Sequence, residues 1–182
     1  GNYPGNPHCN PRELLKSQQK RKEFMKLFSS RGIQISALSC HANTLHPDKK
    51  IAKEHSGVQR ATIELAAALG IDTVISFSGC PGGSPKDVRP NWVTCPWPPD
   101  FLETLEWQWK EKVIPFWTDE ARFAQKNGIR VALEMHPGFV VYNPETMLKL
   151  RKACGKNIGA NFDPSHLWWQ GIDPILAVRE LK

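Results

Sequence analysis

The sequence predicts an α/β fold built on parallel strands, and three observations carry that prediction. Short apolar or β-branched runs alternate with longer stretches of helical periodicity. A glycine-containing turn precedes each short run, where glycine supplies the left-handed backbone that ends a helix just before a strand. Polar, chemistry-bearing residues then stand at the carboxyl ends of successive runs.

Taken in order, the first helical pattern covers 13–30, with Leu14, Leu15, Phe24, Leu27 and Phe28 as its apolar positions. Arg31-Gly32 then leads into a predicted strand at 33–38 (IQISAL). A helix over 55–69 presents Val58, Ile63, Leu65, Ala66 and Leu69 on one side, and Gly70-Ile71-Asp72 introduces a strand at 73–77 (TVISF). A long loop comes next at 78–100, rich in Pro, Gly and Trp; long loops of this kind serve as lids or binding loops. The next helix spans 101–126, Asn127-Gly128 opens a strand at 130–134 (RVALE), and a short helix lies at 144–153. Gly155-Lys156-Asn157 precedes the last strand at 158–162 (IGANF), and a helix at 174–181 begins on Pro174, a residue suited to the first helical turn. The order αβαβαβαβα implies parallel strands joined by right-handed crossovers.

Composition narrows the function. The chain has 182 residues with 24 Lys+Arg against 18 Asp+Glu, a net charge of +6. No apolar run approaches the roughly 18–20 residues of a membrane span, so no membrane partner is expected. The positive charge is diluted by neighbouring acids (Arg31, Lys49, Lys50 and Lys53 among Glu13, Glu23, Asp48 and Glu54), unlike the concentrated basic stripe of a nucleic-acid surface. Five cysteines without a Cys-x-x-Cys pair argue against a disulfide scaffold or a zinc ribbon and for a cytoplasmic, reducing setting. Neither a dinucleotide glycine fingerprint nor a P-loop lysine motif is present; Pro85 and Pro90 interrupt the segment after Cys80-Pro81-Gly82-Gly83 that would have to become the helix.

Polar residues at strand ends take the place of phosphate-binding glycines. Glu134 closes the third strand in Ala-Leu-Glu134-Met-His136-Pro137, and Asp163 comes just after the fourth in Asn161-Phe-Asp163-Pro164-Ser-His166. Adjacent parallel strands lie about 4.8 Å apart, so two carboxylates there repel unless a cation sits between them. Oxygen and imidazole donors suit one divalent ion, Mn²⁺, Mg²⁺, Co²⁺ or Zn²⁺. The plainer alternatives are a salt-bridged Glu134 and an Asx turn at Asp163 ahead of Pro164. His41, after the first strand, reads equally as a substrate or metal contact and as a loop histidine; His8 and His55 read as surface residues. Of the seven Trp, Trp92 and Trp97 lie on the long loop and Trp168 and Trp169 come directly after His166 and Leu167, placed to pack on a sugar or inositol ring. Trp107, Trp109 and Trp117 read as packing or subunit-interface residues, which leaves a homo-oligomer open.

These motifs resemble the xylose-isomerase-like TIM barrel superfamily, in its sugar phosphate isomerase/epimerase branch. The likeness is carried by Ile-Ser-Ala-Leu-Ser-Cys-His at 35–41, Asn-Trp-Val-Thr-Cys-Pro-Trp at 91–97, Ala-Leu-Glu-Met-His-Pro-Gly at 132–138 and Asn-Phe-Asp-Pro-Ser-His-Leu at 161–167. It implies a (β/α)8 barrel fold, represented here by about four parallel strands and five helices, roughly units 2 to 5. Because such barrels take about 250 residues, residues 1–182 are expected to form one partial domain without the first and the C-terminal strands, and without turnover of its own. The resemblance implies Glu134 and Asp163 as metal ligands and Glu134 and His166 as catalytic residues. Expected substrate contacts are His41, His136, His166, Trp97 and Trp168. The implied substrate is a sugar, sugar phosphate or inositol derivative, and the reaction passes through an enediolate. The family's further His and Glu ligands belong to later strands, and Val140 stands where epimerases tend to carry a second Glu. Dehydration of a keto-sugar or inosose uses the same chemistry. Endonuclease-IV-like zinc DNA repair enzymes share the fold and the Asp-x-x-His pattern, but need several further histidines.

Overall fold

The computed structural model of the chain describes residues 1–5 and 8–182. Four parallel strands, β1 (Leu38–Cys40), β2 (Thr73–Ser76), β3 (Arg130–Glu134) and β4 (Ile158–Asn161), pair in chain order as β1-β2-β3-β4. Helices α3 (Lys49–Leu69), α5 (Ile114–Lys126) and α6 (Pro144–Cys154) cross between them and pack on one face of the sheet. Val74, Val131, Leu133 and Ile158 point into that layer, where Ile63, Leu65, Trp117, Met147 and Leu150 complete the core. Among the described residues no helix is long and apolar enough to cross a membrane.

Strand alternation turns this packing into a site. With Val131 and Leu133 turned to the helices, Ala132 and Glu134 face the other way. The register pairs Ser39 with Ile75, Ile75 with Ala132, Ala132 with Gly159 and Glu134 with Asn161. Two residues beyond Ser39 and Ile75 come His41 and Phe77. His41, Phe77, Glu134 and Asn161 therefore form a row across the carboxyl end of the sheet, on its helix-free face.

The predicted β2, β3 and β4 agree to within a residue, whereas the first strand is displaced: 33–37 is irregular and β1 begins at Leu38. β2 offers only four residues for pairing, so Leu38 opposite Val74 is the first residue with a partner, and the alternating Ile33 to Ala37 stretch has none. The first helical pattern divides into α1 (Pro11–Leu15) and α2 (Gln18–Ser29), because the Ser17 hydroxyl caps the second helix and the Arg21 guanidinium takes the Leu14 and Leu15 carbonyls. α3 starts six residues earlier than the pattern predicts, capped by the Asp48 carboxylate. The long helix is α4 (Pro99–Trp107), a π-helical segment (Gln108–Val113) and α5. Pro115 cannot donate to the Glu111 carbonyl, which accounts for the widened turn ahead of it. α7 (Ser165–Trp168) is too short to show periodicity and is absent from the prediction; α8 (Pro174–Glu180) matches it closely.

Candidate active site

Glu134 is the centre of the row. Its side chain is only 14% exposed, its Oε2 accepts a hydrogen bond from Asn161 Nδ2 (3.1 Å), and its Oε1 lies 3.2 Å from His166 Nε2. His41 Nε2 approaches Oε2 at 3.6 Å. The strand register delivers Asn161, and the turn into α7 delivers His166 from beyond β4.

His136 enters two residues beyond Glu134. Its Nδ1 lies 2.7 Å from the Pro137 carbonyl, which can only accept, so Nδ1 carries the proton and Nε2 presents a lone pair. The His136 and His166 rings meet edge to face with centroids 4.3 Å apart, and Phe77 lies between His41 (4.5 Å) and His136 (4.8 Å). Glu134, His136 and His166 offer ligand atoms within 4.8 Å of one another.

This set fits a divalent cation on two grounds. One carboxylate with two imidazoles is a donor set suited to first-row metals. The buried Nε2 of His41, beside Glu134, has no hydrogen-bond partner among the described residues. Burial is the main reason the His41 imidazole titrates below its usual range, and the Glu134 carboxylate opposes that shift.

Asp163 stands apart from the three-residue cluster. Its Oδ1 accepts the Ser165 N–H (2.8 Å) in an Asx turn that starts α7, while Oδ2 lies 3.7 Å from His166 Nε2. The Ser165 hydroxyl and N–H hold this carboxyl below the usual carboxylate range. Trp97 is 71% exposed on the long loop, and Trp168 lines an apolar groove with Phe162, Pro164, Ile175 and Val178 on the outer side of β4. Cys40, next to His41, and Cys80, three residues beyond Phe77, are both buried, and burial pushes both thiols up to about 12, which disfavours the nucleophilic thiolate.

Sequence reasoning did not single out Asn161 or Phe77. Both were legible in principle: each sits two residues beyond a residue whose facing the alternation of its strand fixes. What sequence could not supply was the register that sets Asn161 opposite Glu134.

A family model described as xylose isomerase-like TIM barrel matches residues 4–181. The uncharacterized protein YfiH of Bacillus subtilis (strain 168) is 44% identical over 184 residues, covering 100% of this chain and 58% of that protein. The chain therefore spans somewhat more than half the length of that relative. Among solved structures, a D-tagatose 3-epimerase-like protein superposes with a TM-score of 0.62 at 20% identity, over 99% of this chain and 61% of that one. A xylose isomerase-like TIM barrel protein from Mycobacterium smegmatis, solved in complex with magnesium, gives 0.61 at 18% identity, over 91% of this chain and 53% of that one. At these identities the two structures show the shared fold alone.

Proposed function

Because the chain belongs to the xylose isomerase-like TIM barrel family, we propose that its row of strand-end residues is part of a divalent-metal-dependent isomerase or epimerase site for a keto-sugar, sugar phosphate or keto-inositol. The observation that carries this reading is the largely buried Glu134 carboxylate with His166 3.2 Å from Oε1 and His136 beside it.

Glu134 accepts the proton from the carbon next to the substrate carbonyl, leaving an enediolate. Asn161, donating to Oε2, fixes the carboxylate so that Oε1 faces the substrate side. His166 hydrogen-bonds a substrate oxygen and holds or returns a proton there. Protonation of the same carbon from the other face, which requires a second acid such as the Glu the family carries on a later strand, gives an epimer, and return of the proton from Glu134 to the neighbouring carbon gives an isomer. Loss of a β-hydroxyl makes the enzyme a lyase. His41, His136 and Trp97 contribute substrate contacts, whereas Trp168 faces the groove on the outer side of β4. Glu134, His136 and His166, with Asp163 reaching in from the Asx turn beyond β4, would hold a Mn²⁺, Mg²⁺, Co²⁺ or Zn²⁺, which would supply positive charge for the oxygens on which negative charge develops. The unpaired cysteines of the described residues support a cytoplasmic setting.

Two measurements test the reading. Mn²⁺ titrated into the chain should bind, and E134Q should weaken binding at least about tenfold. The full-length protein with Mn²⁺ should exchange the hydrogen next to the carbonyl for deuterium in D₂O with at least one ketose, ketose phosphate or inosose, monitored by proton NMR. Metal binding indifferent to E134Q, with no exchange across that panel, overturns the proposal. Zn²⁺-dependent cleavage of abasic-site DNA would move the assignment to a DNA repair enzyme.

A further inference from the structure

The loops that follow the four strands are joined to one another by polar clamps, one for each neighbouring pair. Between the loops after β1 and β2, the Asn43 amide bonds both the N–H (2.9 Å) and the carbonyl (3.0 Å) of Cys80. Between the loops after β2 and β3, the Ser78 hydroxyl accepts the Val141 N–H (2.9 Å), and the Gly79 carbonyl accepts the Val140 N–H (3.0 Å). Between the loops after β3 and β4, the Gln170 side chain closes the series, its Nε2 donating to the carbonyls of Tyr142 (3.0 Å) and His166 (2.6 Å). Each clamp lies a few residues beyond a side chain of the site: Asn43 beyond His41, Ser78 beyond Phe77, Val140 beyond His136 and Gln170 beyond His166.

The last clamp holds the segment with the least support of its own. α7 (Ser165–Trp168) is too short to be stable in isolation. Leu167 is its buried residue, while Trp168 and the following Trp169 are 63% and 57% exposed. The Asx turn at Asp163 fixes where the helix starts, and Leu167 fixes how deep it sits. Neither fixes the rotation of α7 about that anchor, which decides where the His166 ring points. The Gln170 amide supplies the constraint. Its two N–H groups meet two carbonyls, and one of these belongs to the neighbouring loop, just ahead of the Asn143 cap of α6.

We propose that Gln170 is a positioning residue: it locks α7 to the loop after β3 and so holds the His166 imidazole 3.2 Å from Glu134 Oε1. Reacting groups work only when their spacing is held closely, and hydrogen bonds from the surrounding layer keep it. The inference rests on the reading of Glu134 and His166 as the reacting pair and adds the residue that sets their spacing.

Asn157 provides the control. Its Nδ2 also bridges two carbonyls, those of Ala121 (3.3 Å) and Ile129 (2.8 Å), but it stands just ahead of β4, at the opposite end of the strand from the site. Gln170→Met and Asn157→Leu each keep the approximate shape of the side chain and remove both donors. In the metal-free chain, Q170M should shift and broaden the His166 ring signals in NMR, and with them those of His136, whose ring meets His166 edge to face. N157L should leave both unmoved. Q170M should weaken Mn²⁺ binding by about tenfold, and N157L should stay within about twofold of the parent. Should Q170M fail to fold, the parent chain decides: its Gln170 side-chain N–H protons should exchange with water at least about tenfold more slowly than those of the exposed Gln18. Equal exchange, unmoved His166 signals in a folded Q170M, or matching changes in the two variants overturns the inference, while E134Q-sensitive metal binding leaves the reading of the site standing. Metal binding indifferent to E134Q removes the reacting pair, and the inference falls with it.

Discussion

Two glutamates on consecutive elements, Glu120 of α5 and Glu134 of β3, are both withdrawn from water, with side chains 0% and 14% exposed. Their surroundings differ in one respect. Glu120 carries its cation with it: Oε2 accepts from Arg60 Nε at 2.9 Å and Oε1 from Gln59 Nε2 at 2.9 Å. Gln59 in turn accepts from the Ser76 hydroxyl (2.6 Å), and the Arg60 guanidinium lies over the Phe123 ring (4.8 Å). Glu134 is approached by a neutral amide and by imidazoles, with no Lys or Arg among its partners in the described residues. A buried carboxylate needs compensation. On the helix side the sequence supplies it permanently. At the strand ends no Lys or Arg among the described residues does so, which supports the proposed reading of Glu134 as the working glutamate and of Glu120 as a structural one.

The largest effect that could break this contrast is on stability. Glu120→Ala strands the Gln59 amide and the Arg60 guanidinium and should cost about 2–4 kcal/mol in urea unfolding, the upper end of the usual range being reduced because Arg60 is half exposed. Mn²⁺ affinity should not move. Glu134→Gln should do the reverse, changing stability by less than about 1 kcal/mol without metal, alongside its loss of metal affinity. Matching stability losses in the two variants would erase the distinction.

Asn161→Asp sharpens the contrast. It places a second carboxylate at the position that now donates to Glu134 Oε2 across 3.1 Å. Without metal the repulsion should cost about 1 kcal/mol, and saturating Mn²⁺ should recover it. Destabilisation that Mn²⁺ leaves untouched would mean that no cation enters between these strands.

How much of this was legible depends on range in the chain. Glu134, His136 and His166 announce themselves because their strands end in charge or imidazole where apolar residues are expected. β3 was readable because Val131 and Leu133 alternate cleanly with Arg130 and Ala132. The Glu120 network was not readable: Thr-Asp-Glu-Ala-Arg within an amphipathic helix looks like a solvated face, and only the packing of α3 on α5 shows that Glu120 points inward at Gln59. β1 failed for a related reason. Ile33 to Ala37 alternates like a strand, but strand formation requires a partner, and β2 begins opposite Leu38.

The smallest effect separates the two regions by pH. The Glu120 network contains no histidine among the described residues, whereas the loop after β1 is tied down by one: Asn43 N–H donates to His55 Nδ1 at 3.0 Å, and the Asn43 side chain holds both the N–H (2.9 Å) and the carbonyl (3.0 Å) of Cys80. Burial lowers the His55 pKa below its ordinary 6.5, and a proton at Nδ1 would also displace the Asn43 N–H. A histidine whose folded pKa is depressed takes up its proton more readily in the unfolded chain. Its contribution is therefore complete above about pH 7 and is lost as pH falls through 6.5 toward the folded value. The carboxylates with lowered values, such as Asp163, titrate below that window. Without metal, stability should fall between pH 8 and pH 5.5, and His55→Gln, whose amide oxygen can accept from Asn43 but does not titrate, should flatten that fall. His41, lowered chiefly by its own burial, adds a change of the same sign and leaves a residual slope. Hydrogen exchange should place the early opening at the loop after β1 and at Cys80, while the α3 and α5 amides around Gln59 and Glu120 stay protected. Uniform loosening of both regions, or an unchanged slope in H55Q, would show that the strand-end loops are not the acid-sensitive half of the molecule.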